Sequence, residues 1–126
     1  MSDEEKRVYM LLKSVIFHYH GLDDEEVQNL NETADELDAH DALDWANKFI
    51  AEDYITSFER AREYLNNYIS DYSRDKRESY IKMVWEANNL KGYITELEVT
   101  AMLKLAQDWH VQDYLKELIT TSIHSG

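Results

Sequence analysis

The chain has no proline and only three glycines among its 126 residues, so almost nothing in its covalent structure interrupts a helix. Apolar residues meanwhile recur at intervals of three and four for most of the length. That spacing places side chains on one face of a helix rather than on alternate faces of a strand. Together the two facts predict an all-α fold. The length suits one domain, and halving it would leave each piece short of core. The expectation is a single bundle-like domain of about seven helices.

Stripes and caps place those helices. Val8, Leu11, Leu12, Val15 and Tyr19 form one apolar stripe over about 4–19, ending before Gly21. Asp23, followed three residues later by Glu26, reads as the N-cap of a second helix carrying Val27, Leu30, Ala34 and Leu37. Ala42, Leu43, Trp45, Ala46, Phe49 and Ile50 predict a third. Phe58, Ala61, Tyr64, Leu65, Tyr68 and Ile69 predict a fourth over about 55–72. After the polar run 71–75, a fifth helix bears Tyr80, Ile81, Val84, Trp85 and Asn88 and stops at Gly92. Thr95 caps a sixth with Val99, Met102, Leu103 and Ala106, and a seventh starts near Val111 with Tyr114, Leu115 and Leu118.

A shift of 72 residues lays much of this pattern on itself. Leu22 falls on Ile94, Asp23 on Thr95, Glu26 on Glu98, Val27 on Val99, Leu30 on Met102, Ala34 on Ala106 and Leu43 on Leu115. Shared caps as well as shared stripes predict an internal duplication, 4–50 onto 76–122, and hence two pseudo-symmetric halves.

Charge narrows the partners. The formal net charge is -13, which repels phosphate backbones and anionic headgroups and so argues against nucleic acid. Residues 1–63 carry 6 basic and 17 acidic side chains against 7 and 9 in residues 64–126, so the first half holds most of the excess. With 44% hydrophobic and 31% charged residues the composition is that of a globular chain. No run approaches the roughly 18 apolar residues of a membrane span, and the acidic start does not resemble a secretory signal. Without cysteine there are neither disulfides nor thiolate sites. A cytoplasmic address is expected.

The segment 87–98, with Gly92, Ile94, Thr95 and Glu98 at their particular spacing, resembles the helix-turn-helix signature of TerB-like domains, the tellurite-resistance family. Gly21, Leu22, Asp23 and Glu26 fit a version one residue shorter. The resemblance implies a divergent member of that family, with a role in stress response and in protein assemblies rather than a known reaction. It also implies divalent-cation binding by acidic residues near the two turns, here Asp23, Asp24, Glu26 and Glu98. Where the family has Asp before the Gly, this chain has His20 and Lys91.

The same residues also carry a local reading. Glu26 and Glu98 each stand three after a cap and can reach back to its N–H, while Asp23 and Asp24 suit the positive end of a helix dipole. His18 and His20 are two apart and point in different directions along a helix. The run 23–26 lacks the spacing of an EF-hand. His40, His110 and His124 have no partner at catalytic or ligand spacing, and none of the five His is preceded at three residues by Glu, the pattern of bundle carboxylate sites. No serine sits in a nucleophile elbow and no glycine-rich phosphate loop exists.

Aromatic residues offer the remaining candidates. Trp45, Trp85 and Trp109 lie on apolar stripes and are expected in the core, whereas Tyr64, Tyr68 and Tyr72, with Tyr54 on the approach, alternate with charges. They suit either core or a partner interface. The leading expectation is a non-enzymatic acidic interaction domain that docks a protein partner, with homo-oligomer formation open and no cofactor. A divalent-cation sensor is the alternative, and an enzyme accessory acting through carboxylates a third.

Overall fold

Helix α1 (Asp3–Tyr19) starts where the hydroxyl of Ser2 accepts the N–H of Glu5 at 3.1 Å. The structure, a computed structural model, describes residues 1–19, 21–90 and 92–125, with the side chains of 123–125 excepted. His20, Lys91 and the side chain of His124 therefore lie outside the described residues. Six helices follow: α2 (Asp24–Leu37), α3 (His40–Ala51), α4 (Ser57–Ile69), α5 (Arg74–Asn89), α6 (Glu96–Asp108) and α7 (Gln112–Ser125). The fold is all-α, as expected, and no strand occurs among the described residues. By contacts the chain divides into two compact units, 1–65 and 66–126, with the boundary inside α4.

In the first unit α1 is the central element. Its Val8, Met10, Leu11, Leu12, Val15, Ile16 and Phe17 are all at most 2% exposed, a wider band than one helical stripe, because α2 and α3 both pack on it. Removing from water each side chain of this size contributes roughly 1.5–3 kcal/mol, so α1 supplies much of the unit's cohesion. From α3, Ala46 and Ile50 complete the buried face. The N-terminal part of α4 adds Phe58 against Tyr19 and Tyr64 against Trp45 and Phe49, with ring centroids 5.1, 5.2 and 5.9 Å apart. Arg60 stacks over Phe49 and donates to the carbonyls of Phe49 and Asp53 at 2.9 and 2.8 Å, thereby capping the end of α3 from a different helix.

The second unit joins α5, α6 and α7 to the end of α4. Trp109 is fully buried, and its indole N–H donates to Asn66 Oδ1 at 2.9 Å while the Asn66 amide donates to Asp108 at 3.0 Å. The polar atom of the largest core side chain is thus satisfied from α4. Arg77 donates to the Trp109 carbonyl at 2.7 Å and to that of Tyr72 at 3.1 Å, closing the end of α6. Arg74 pairs with both oxygens of Asp113 at 2.7 and 2.8 Å on the surface.

The offset of 72 extends from side chains to local backbone. Asp38 and His110 occupy the left-handed region at φ 52 and 56, and beyond each the next N–H reaches back to an alanine carbonyl, Ala39 to Ala34 at 2.8 Å and Val111 to Ala106 at 2.9 Å. Each is the helix-ending pattern that satisfies orphan carbonyls. Helices α2 and α6 open at Asp24 and Glu96, and α3 and α7 at His40 and Gln112, again 72 apart.

Candidate functional site

The acidic residues nominated for a cation divide by burial. Asp23 and Asp24 are exposed, whereas Glu26 and Glu98 are 5% and 2% exposed. Both glutamates complete capping boxes. Glu26 accepts the N–H of Asp23 at 3.2 Å and donates its own N–H to the Asp23 carboxylate at 2.8 Å. Glu98 accepts the N–H of Thr95 at 3.1 Å and its hydroxyl at 2.8 Å, and the Thr95 oxygen accepts the N–H of Glu98 at 3.3 Å. Asp24 takes no part in the box. The arrangement brings Asp23 to Glu26 in the first unit and Thr95 to Glu98 in the second, each box engaging Oε1 of its glutamate. Among the described residues no three His, Asp or Glu side chains are grouped so as to hold a metal ion.

His18 is the titratable group that burial perturbs in this region. It is half-buried at the end of α1, its ring 6.1 Å from that of Tyr54. Desolvation pushes its pKa below the ordinary imidazole value, and the Glu26 carboxylate opposes that shift.

Of the tyrosines nominated as an interface, Tyr64 and Tyr72 make ring contacts within their own units. Tyr64 is half-buried in the cluster with Trp45 and Phe49. Tyr72 stacks on Tyr80 at 5.7 Å with Lys76 over its ring at 4.2 Å, and Tyr68 is half-buried, whereas Tyr54 is 63% exposed. Of the three tryptophans expected in the core, Trp109 is fully buried. Trp45, under the Arg7 guanidinium at 5.6 Å, and Trp85 are only half-buried.

Trp85 opens onto a feature that the helical pattern did not reveal. An open groove of about 530 Å³ runs along α5 and α7 in the second unit. Half-buried Trp85, Tyr114 and Leu118 form its floor, and exposed Lys82, Glu86 and Glu117 stand beside them, with Lys82 4.0 Å from Glu86. The spacings 82, 85, 86 and 114, 117, 118 put each set on one helix face. Charged residues interleaved with the edge of an apolar stripe were the available signal for a lined surface rather than a closed core. No family model, no characterised protein and no solved structure matches the chain.

Proposed function

We propose that the chain is a non-enzymatic acidic helical domain that docks a protein partner. The observation that carries this is the surface of α2 and α3, where Asp24, Glu25, Glu32, Glu36, Asp41 and Asp44 are all exposed in a chain of net charge -13. A field of that sign attracts basic surfaces and accelerates their encounter. The TerB-like resemblance adds a stress-response setting, and the cation-sensing alternative rests on that resemblance. No helix among the described residues is long and apolar enough to cross a membrane.

The test is capture from native extract on the immobilised chain, washed with increasing salt and repeated with a divalent-metal chelator. Basic proteins retained at low salt, released as exposed charges are screened beyond about 10 Å at 0.1 M, and indifferent to the chelator support docking. Retention that vanishes with the chelator transfers the reading to cation sensing.

A further inference from the structure

Resting on the docking reading, we propose that the α5/α7 groove is the seat of an amphipathic helix whose apolar stripe is flanked by Lys or Arg. Trp85, Tyr114 and Leu118 give it an apolar floor that is left half-exposed, with Glu117 on α7 and Glu86, paired with Lys82 at 4.0 Å, on α5. The wall carboxylates complement a cationic flank.

The chain itself shows what covers such a surface. At the offset of 72, α5 and α7 correspond to α1 and α3, and in the first unit an amphipathic helix, α4, packs on those two. Its Phe58 meets Tyr19 of α1 and its Tyr64 meets Trp45 and Phe49 of α3. Its Arg60 lies over the Phe49 ring and bonds the end of α3. Where α4 packs on α3, the lining is aromatic, Trp45 and Phe49. The corresponding positions in the second unit are Glu117 and Thr121, both exposed. An apolar floor inside a polar rim is the anatomy of a protein interface, and a helix laid in a groove is a common way to fill it.

The experiment presents the full chain with a displayed library of helices that share one apolar stripe and vary from acidic to basic flanks. The expected result is enrichment of basic flanks. Enriched peptides should shift the Trp85 indole resonance, and Leu118→Glu should weaken them about tenfold or more, the effect of losing a central apolar anchor. Because Leu118→Glu disturbs a half-buried position, exposed Glu117→Lys with Glu86→Lys provides a second arm, expected to reverse the flank preference without changing the melting temperature markedly. Enrichment of acidic flanks, binding unaffected by either variant, or no enrichment at all overturns the groove. Salt-sensitive capture of basic proteins that persists in both variants would leave docking standing on another surface.

Discussion

At the scale of single residues, Glu98 separates a cap from a ligand. Its carboxylate serves the Thr95 N–H and hydroxyl while only 2% exposed. Glutamine retains an acceptor oxygen for the cap, so Glu98→Gln should leave the urea midpoint nearly unchanged, whereas a hard cation would lose its site. Thr95→Ala should cost about 0.5–2 kcal/mol, with or without chelator. A chelator-sensitive melt that Glu98→Gln abolishes would make the carboxylate a ligand. His18 gives a pH test. Its folded pKa is depressed by desolvation, so the unfolded chain binds the proton more tightly. The contribution is complete above about 6.5, the ordinary imidazole value, and is lost as pH falls from there through the lower folded pKa. Denaturant midpoints between pH 7.5 and 5 should fall less steeply in His18→Gln than in the parent chain, and equal slopes would refute the assignment.

At the scale of elements, both helix-ending turns place a residue with a Cβ in the left-handed region, His110 at φ 56 and Asp38 at φ 52. That conformation costs an L-residue roughly 1–2 kcal/mol and glycine almost nothing, partly offset by glycine's greater freedom when unfolded. His110→Gly should therefore stabilise the chain by about 0.5–1 kcal/mol, read as a raised urea midpoint at constant slope. A fall would mean that the imidazole contributes more than its backbone strain. These turns also mark where the sequence stopped being legible. The starts of α2 and α6 could be read because Asp23 and Thr95 advertise them, each followed three residues on by Glu. Nothing at Asp38 or His110 announces a left-handed stop, since the favoured glycine is missing. Stripes located all seven helices, but periodicity says which side of a helix is apolar and not what covers it. Trp85 and Trp109 look alike in sequence, yet one lines an open groove and the other is sealed by Asn66, far away in the chain. Arg60 likewise reads as a surface cation, and only the packing of α4 shows it ending α3.

At the scale of the whole molecule, salt should act in opposite directions on folding and on docking. A net charge of -13, concentrated in residues 1–63, repels itself in the compact state, and the surface ion pair of Arg74 with Asp113 is an exposed contact of little individual worth, while Arg62, half-buried, pairs with exposed Glu59. Repulsion should therefore outweigh these pairs. As salt is removed screening weakens and the repulsion reaches further: the Debye length is about 30 Å at 0.01 M and about 10 Å at 0.1 M. The melting temperature of the free chain should rise between these two concentrations, while affinity for a basic helix falls over the same interval. A chain in which attractive pairs dominated would instead melt lower with salt. Charge reversal at Glu86 and Glu117 sharpens the comparison, because converting two acids to lysine reduces the net charge and with it the salt dependence of melting. If melting temperature and affinity both fell with salt, charge complementarity would be at work inside the fold as well as at its surface, and the acidic excess would no longer explain why partners are drawn to it.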